Sequence, residues 1–173
     1  TIHPASAGMR MYNSNMKILA IDPGYERLGI AVIEKNKGEK ENLLFSKCFR
    51  TSSKEDHNIR LSKLGEEIEK VIEEYKPEKL AIETLFFSKN TKTALKVAEA
   101  RGVIIERCTS LGLDVKEFSP QEIKIAVTGS GSSDKNQVMK MIPLLIKVGD
   151  LKKQDDEFDA IATGLTFFAI STY

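Results

Sequence analysis

The chain has 173 residues, and its 26 basic and 25 acidic side chains almost cancel. This length predicts one domain with a substantial core, and the balanced charge excludes attraction of the whole surface to a polyanion as evidence for function. The two histidines and two cysteines are too few and too scattered to predict a zinc cluster or a histidine-based nucleophile. No apolar stretch approaches the length of a membrane span, and no signal-peptide core is expected at the N-terminus.

The first fifteen residues show no hydrophobic periodicity. Met16 stands at the start of the first predicted strand, as an initiator methionine would. We therefore expect residues 1–15 to be a disordered tail or a cloning remnant, and residues 16–173 to form the folded domain. Cys48 falls in a strand-like run and Cys108 in a helix-like run. Two separated thiols of this kind are typical of buried, reduced cysteines in a cytoplasmic protein.

The predicted elements begin with three strands and then alternate between helices and strands. The first strand is an apolar run that ends at Asp22, before a Pro-Gly turn, and short polar links join it to two more strands in an antiparallel meander. His57 is expected in the polar loop before the first helix, which Pro77 stops. The strands are expected at residues 16–22, 28–34, 43–51, 80–83 and 115–118, and the helices at residues 61–75, about 92–111, 120–127, 134–147 and about 155–169.

Three meandering strands followed by a helical crossover to a strand beside the first form the ribonuclease-H arrangement. The predicted fold is therefore α/β and ribonuclease-H-like, with a mixed five-stranded sheet flanked by helices. In this arrangement the first and fourth strands are parallel neighbours. Their carboxyl ends meet at one edge of the sheet, where open α/β folds place their ligands.

Acidic side chains stand at three places that this fold brings to the same edge. Asp22 ends the first strand, Glu83 ends the fourth, and the last helix opens with the run Asp155-Asp156-Glu157-Phe158-Asp159. Carboxylates that lie close together repel one another and favour a divalent cation between them. On spacing alone, both Asp155 and Asp156 are able to share a helix face with Asp159.

Each acidic residue also has a simpler interpretation when it is taken alone. Asp22 would cap the turn that follows it, Glu83 would form a surface ion pair, and the acids of the last helix would complement the helix N-terminus. Three independent coincidences are less probable than one shared site, so the metal-site interpretation is preferred.

Basic residues are concentrated after the first two acidic strand ends. Residues 85–107 hold five basic and two acidic side chains, and residues 116–153 hold seven and four, a net charge of +3 in each segment. Residues 59–75 hold three and five, a net charge of −2. This distribution suits an anionic polymer near the metal site. From charge alone, ordinary solvated helix faces are the simpler explanation.

An ordered set of short motifs resembles the RuvC family of Holliday-junction resolvases. The resemblance extends from Met16 to about Ser171, and it is the order of the motifs, rather than any one of them, that is specific. The motifs are Ile21-Asp22-Pro23-Gly24 with Gly29, Ala81-Ile82-Glu83, Phe86-Phe87-Ser88-Lys89-Asn90, Ala94-Leu95-Lys96, Ala100-Arg101-Gly102, Gly129-Ser130-Gly131 and Asp156-Glu157-Phe158-Asp159-Ala160.

The resemblance implies a homodimeric, Mg²⁺- or Mn²⁺-dependent endonuclease that nicks two strands of a four-way DNA junction in recombination and repair. It also implies a branch-migration motor as a partner. The family pattern places two ions among Asp22, Glu83, Asp156 and Asp159, which would be both the metal ligands and the catalytic residues. It favours Asp156 over Asp155.

DNA contacts are implied by the same resemblance at Phe86, Lys89, Asn90, Lys124 and Lys135. Phe86 corresponds to an aromatic residue near the DNA, where it would stack on an unpaired base. Lys135 follows a Gly-Ser loop at a helix start, where backbone N–H groups can receive phosphate. Solvated lysines and core phenylalanines are the alternatives that spacing alone leaves open.

The long helix expected after the fourth strand carries Ala94, Ala98 and Gly102 at intervals of four residues. Small side chains at this spacing lie on one side of a helix and allow another helix to approach closely. That neighbour is either the sheet of the same chain or a second copy of the protein.

Other functions are compatible with part of the pattern. The main alternative is a ribonuclease-H-like nuclease that processes ribosomal RNA precursors, but the Phe-Phe-x-Lys-Asn stretch and the final acid pair favour the resolvase. Sugar kinases and actin-like ATPases begin with a similar strand but need two such domains, for which this chain is too short. Retention of all four acids argues against an inert DNA-binding module.

Overall fold

The computed structural model describes residues 15–85, 91–149 and 153–171. Within these ranges the elements follow the predicted order. They are β1 Asn15–Asp22, β2 Arg27–Asn36, β3 Asn42–Arg50, α1 His57–Tyr75, β4 Lys79–Glu83, α2 Thr91–Ser110, β5 Asp114–Phe118, α3 Pro120–Thr128, α4 Lys135–Leu145 and α5 Asp155–Ile170.

Most predicted boundaries differ from the observed ones by one or two residues, and α1 begins four residues earlier than residue 61, where it was expected. β1 begins at Asn15, the last residue of the expected tail and one residue before Met16. The prediction that His57 lies in a loop is wrong, because His57 is the first residue of α1 and follows the extended N-cap residue Asp56. α4 stops at Leu145 rather than residue 147, two residues after Pro143, which lacks the N–H that a continuing helix needs.

The sheet is mixed and has five strands in the order β3-β2-β1-β4-β5. β1, β2 and β3 pair in antiparallel fashion, whereas β4 runs parallel to both β1 and β5. This arrangement confirms the predicted ribonuclease-H-like sheet. It also confirms that β1 and β4 are parallel neighbours.

Alternation along β1 assigns its side chains to two separate cores. Ile18 and Ala20 pack in a cluster with residues of α3, α4 and α5. Leu19 and Ile21 pack on the opposite face, in a cluster with residues of α1 and α2. Successive strand residues point to opposite faces, so Asp22 continues the α5 face of the sheet.

α5 is the apolar element at the centre of this face. Its residues from Phe158 to Phe168 are buried apart from Asp159, which is half-buried. The buried hydroxyl of Thr166 donates to the carbonyl oxygen of Ala162, so it is satisfied within the helix. In the described part of the chain, no helix is long and apolar enough to cross a membrane.

Small residues let α5 lie unusually close to the sheet. A Cβ atom at Gly164 would lie 3.0 Å from the Cβ of Ala20 and 2.6 Å from Cδ1 of Ile33. At the start of the helix, a Cβ at Gly29 of β2 would overlap the backbone carbonyl group of Asp156. Gly29 is also the β2 partner of Asp22, so the same glycine brings the first turn of α5 beside the end of β1.

We expect Gly29→Ala to destabilise the protein, because the added methyl group meets backbone of α5 rather than a flexible side chain. Overpacking of this kind costs about 1–3 kcal/mol in the free energy of unfolding. Gly102→Ala is the control, since a Cβ there would meet no described atom within 4 Å and alanine favours a helix interior by up to about 1 kcal/mol. Urea denaturation of both variants measures the difference, and an unchanged midpoint for Gly29→Ala would contradict the packing argument.

Candidate active site

Asp22 and Glu83 occupy equivalent positions at the ends of two adjacent parallel strands. Ile21 pairs with Ile82, and each acid is the next residue along its strand. Glu83 continues the face of Ala81, which packs in the α5 cluster, so both acids are on the α5 side of the sheet. The sheet therefore brings two carboxylates from residues far apart in sequence to one edge.

α5 adds its acidic residues to the same edge. Asp156 lies in the first turn and Asp159 lies three residues later, so the two are on adjacent parts of one helix face. Glu157 is directed elsewhere, since its carboxylate accepts from the hydroxyl of Ser46 at 2.7 Å and from the backbone N–H of Gln154 at 3.0 Å. The side chain of Asp155 is 62% exposed.

Burial and repulsion by neighbouring acids raise the pKa values of Asp22, Glu83 and Asp159. Burial is the largest cause that raises the pKa of Asp22 to about 8, and repulsion from Asp159, Glu83 and Asp156 adds to it. Burial and then repulsion from Asp159 also raise the pKa of Glu83. Burial raises the pKa of Asp159 as well, with opposition from Lys135 and reinforcement from Asp156 and Asp155. The four predicted ligands thus form one electrostatic cluster.

Two of the four carboxylates are held by cations of the protein itself. The guanidinium of Arg27 forms an ion pair with Oδ2 of Asp156, and the thiol of Cys48 donates to the same oxygen at 3.5 Å. The ammonium of Lys135 lies 2.9 Å from Oδ2 of Asp159. With these partners in place, no three His, Cys, Asp or Glu side chains of the described ranges are arranged to enclose a metal ion.

The donor set nevertheless fits a hard divalent cation. All four predicted ligands offer carboxylate oxygen, the donor type that Mg²⁺ and Mn²⁺ prefer. The raised pKa of Asp22 reflects excess negative charge that a cation would offset. These residues therefore match the chemistry of a magnesium or manganese site.

Two of the three lysines predicted to contact DNA, Lys124 and Lys135, line a cleft beside the carboxylates. This cleft has a volume of about 250 Å³. It is lined by Glu83, Pro120, Ile123, Lys124, Lys135, Val138, Asp159 and Ala162. Lys135 is the first residue of α4, after the N-cap residue Asp134. Lys124 and Lys135 therefore share one cleft with Glu83 and Asp159.

Sequence reasoning missed two arginines that hold the site. Arg27 carries no periodic or motif signal, although it lies between two motif residues, Gly24 and Gly29. Arg101 belongs to the Ala-Arg-Gly motif, and its Nε donates to the backbone carbonyl of Glu83 at 3.2 Å while Nη2 lies 2.8 Å from Glu117. Arg101 thus holds the backbone of Glu83, the last residue of β4, in place.

The turn that follows Asp22 is tied to two helices. The hydroxyl of Tyr25 lies 2.8 Å from Nδ1 of His57, and Nε2 of His57 lies 2.8 Å from Glu99 of α2. The guanidinium of Arg60 stacks on the Tyr25 ring at 3.8 Å from its centroid. This chain of contacts connects the β1–β2 turn to α1 and α2.

Some predictions have a partial or untested outcome. Cys108 is buried as expected, but Cys48 is only half-buried and contacts Asp156, so the prediction of two buried thiols is wrong for Cys48. Phe86, Lys89 and Asn90 lie outside the described residues, as do residues 1–14.

Comparison with known proteins gives consistent results. Residues 18–167 match the sequence model of the family described as Crossover junction endodeoxyribonuclease RuvC. The chain belongs to the RuvC family.

Individual relatives cover nearly the whole of both chains. The RuvC protein of Brachyspira hyodysenteriae is 45% identical over 151 residues, which are 87% of this chain and 92% of that protein. A structure of Thermus thermophilus RuvC in complex with Holliday junction substrate has a TM-score of 0.83 at 27% identity and covers 89% of this chain and 93% of that chain. The yeast mitochondrial Holliday junction resolvase shares the fold, with a TM-score of 0.66 at 14% identity over 87% of this chain and 78% of that chain.

In metal-free protein, we expect Asp22→Asn to raise the melting temperature increasingly as the pH rises. The pKa of Asp22 is raised from 3.8 to about 8 in the folded state, so its favourable contribution is complete below the lower value and lost as the pH passes through the upper one. Asparagine does not ionise and so keeps that contribution, and each kcal/mol corresponds to roughly 2–4 °C. Calorimetry from pH 4 to 9 with a chelator measures the difference between the two melting temperatures.

Asp114→Asn is the control for this pH series. An ion pair with Lys79 lowers the pKa of Asp114, so its loss should destabilise the protein above the ordinary pKa of the carboxyl group. The two variants are thus expected to shift the melting temperature in opposite directions near pH 8. A pH-independent difference between wild type and Asp22→Asn would contradict the crowded-carboxylate interpretation.

Proposed function

We propose that this protein is a Holliday-junction resolvase that cuts four-way DNA by metal-dependent phosphodiester hydrolysis. The observation that carries the proposal is the convergence of Asp22, Glu83, Asp156 and Asp159 at one sheet edge, beside a cleft with basic side chains. Membership of the RuvC family and the similarity to a RuvC structure with junction DNA support the same substrate. Family membership favours this function over processing of ribosomal RNA precursors.

The chemistry assigned to the acidic cluster is metal-assisted hydrolysis. Bound Mg²⁺ or Mn²⁺, as two ions in the family pattern, would activate a water molecule and offset the charge that develops on the leaving 3′ oxygen. Asp22 is the proposed central ligand, because it ends a central strand and because its pKa is raised by Asp159, Glu83 and Asp156. Glu83 is the proposed ligand from β4, and Arg101 holds its backbone in place.

Asp156 and Asp159 are the proposed ligands from α5. Asp156 contributes to the raised pKa of Asp22, which supports the preference for Asp156 over the more exposed Asp155. Lys135 pairs with Asp159 and would offer its ammonium to a phosphate once that carboxylate has another partner. Lys124 lines the same cleft and is a second proposed phosphate contact.

Family resemblance adds three further DNA contacts, at Phe86, Lys89 and Asn90. These residues connect β4, which ends at Glu83, to α2, which begins at Thr91. They therefore belong to a short segment that starts close to the acidic cluster. A role in base stacking and backbone contact at the junction is proposed for them, and association with a branch-migration motor and a cytoplasmic location likewise stay predictions.

A homodimer is proposed because a four-way junction presents two equivalent strands that must be cut symmetrically. α2 offers a suitable surface. The side chain of Leu95 is 62% exposed, Ala98 is half-buried, and a Cβ at Gly102 would meet no atom of the described chain within 4 Å. These positions leave room for the helix of a second copy.

Asp22→Asn tests the assignment of the acidic cluster. We expect cleavage of a synthetic four-way junction to fall by at least about 100-fold, because several kcal/mol of metal-dependent charge stabilisation are lost. Junction binding in Ca²⁺ should stay within about twofold of wild type, since binding depends mainly on cationic contacts to phosphate. Gel assays with junction, duplex and single strand measure both properties.

The matched control is Asp114→Asn, which removes a strand-terminal carboxylate at the other end of the sheet. This variant should cut junctions at nearly the wild-type rate. Near-wild-type cleavage by Asp22→Asn would instead show that the acidic cluster is not the catalytic site.

Ala98→Glu tests the proposed dimer. A charged side chain on the small-residue side of α2 should prevent close helix contact and yield monomers by light scattering. Such monomers should nick a cruciform plasmid on one strand only, whereas wild type should cut both. Ser110→Glu adds the same charge at an exposed position on a different side of α2 and should stay dimeric. A wild-type protein that is monomeric at micromolar concentration would contradict the proposal.

A further inference from the structure

Arg27 occupies an unusual position for a residue outside the acidic cluster. It begins β2, its side chain is 44% exposed, and it forms an ion pair with Asp156, whose side chain is only 18% exposed. The same carboxylate oxygen accepts from the thiol of Cys48. One proposed metal ligand is therefore already bound by a positive charge that reaches out toward solvent.

We propose that Arg27 exchanges partners when the protein takes up its metal and its substrate. In the metal-free protein Arg27 holds Asp156, and when a divalent ion occupies that carboxylate, Arg27 instead binds a phosphate of the DNA backbone. This inference rests on the function proposed above and adds to it a residue that links metal binding to DNA binding.

Electrostatics favours such an exchange. A divalent cation at Asp156 competes directly with the guanidinium for the same oxygen and repels it. A guanidinium displaced in this way keeps its full charge, and its planar fork of N–H donors can bind the two non-bridging oxygens of a backbone phosphate. In the metal-free protein, Arg27 thus takes the place of the metal ion at Asp156, and Asp156 takes the place of the phosphate at Arg27.

A groove next to Arg27 provides the place for that phosphate. Its volume is about 310 Å³, and it is lined by Gly24, Tyr25, Glu26, Arg27, Thr93, Lys96 and Val97. Lys96 brings a second cation, with Nζ 5.4 Å from the centroid of the Tyr25 ring. This groove is formed by the β1–β2 turn and α2, whereas α3, α4 and α5 form the cleft with Lys124 and Lys135. Asp22 immediately precedes the turn, so a DNA strand crossing the acidic edge has cationic contacts available from two different sets of elements.

Metal binding without DNA is the first test. Binding of Mn²⁺ to the full chain is followed by electron paramagnetic resonance for wild type, Arg27→Gln and Arg50→Gln. Arg50 is the β3 partner of Arg27 in the sheet and binds the neutral amide of Gln154, so its loss removes the same charge from the same edge without touching Asp156. We expect Arg27→Gln to lower the Mn²⁺ midpoint by about 3–10-fold relative to Arg50→Gln, because a direct competitor has gone. An equal or higher midpoint for Arg27→Gln would overturn the exchange.

Junction binding with and without a non-catalytic ion is the second test. In Ca²⁺, Arg27→Gln should weaken binding of a four-way junction by about 3–10-fold and reduce the slope of log affinity against log salt by about 0.9, the value for one lost phosphate contact. In EDTA the effect should be much smaller, because Asp156 then occupies the wild-type guanidinium. The effect of Arg50→Gln should be the same in both conditions.

An effect of Arg27→Gln on junction binding that is no larger in Ca²⁺ than in EDTA would overturn the exchange while leaving the proposed function intact. Failure of wild type to bind either Mn²⁺ or the junction would overturn the proposed function and this inference with it. The two failures are therefore distinguishable from the wild-type measurements alone.

Discussion

Close packing of α5 against the sheet is the constraint on which the acidic site depends. Gly29 and Gly164 remove the side chains that would keep the helix away, and Ala20 adds a small surface between them. Because α5 is buried along almost its whole length, the hydrophobic effect holds it there against the repulsion among the carboxylates. Without that packing, Asp156 would not reach the end of β1, and the proposed metal ligands from strand and helix would form two separate surfaces.

Much of this arrangement could be predicted from the sequence because it follows from periodic patterns. Apolar runs that stop at Asp22 and Glu83 indicate strand ends, and the order of elements makes those strands parallel neighbours. The acids of α5 open an apolar helix that has to pack on the sheet. The confirmed strand order shows that these local patterns, together with the expected topology, were sufficient to predict that Asp22 and Glu83 lie at one edge of the sheet.

Features that the sequence did not predict depend on side chains that meet across elements. Arg27 and Asp156 are far apart in sequence, and no periodic pattern indicates that the long arginine side chain contacts this carboxylate. The contact of Cys48 with the same carboxylate depends on the register of the strands. Arg101 was recognisable as part of a motif, yet its bond to the carbonyl of Glu83 is visible only in three dimensions. His57 was assigned to a loop because the residues around it are polar, whereas α1 begins at this residue.

The contacts that run from Tyr25 through His57 to Glu99 have a further consequence for symmetric cutting. They join the turn after Asp22 directly to α2, the helix proposed to meet a second copy. In a dimer built through α2, each acidic edge would be connected to the dimer interface by a packed helix and hydrogen bonds rather than by a free loop. The distance between the two acidic edges would then be fixed by the protein. The arms of the junction would have to change their arrangement to place both scissile phosphates at that distance.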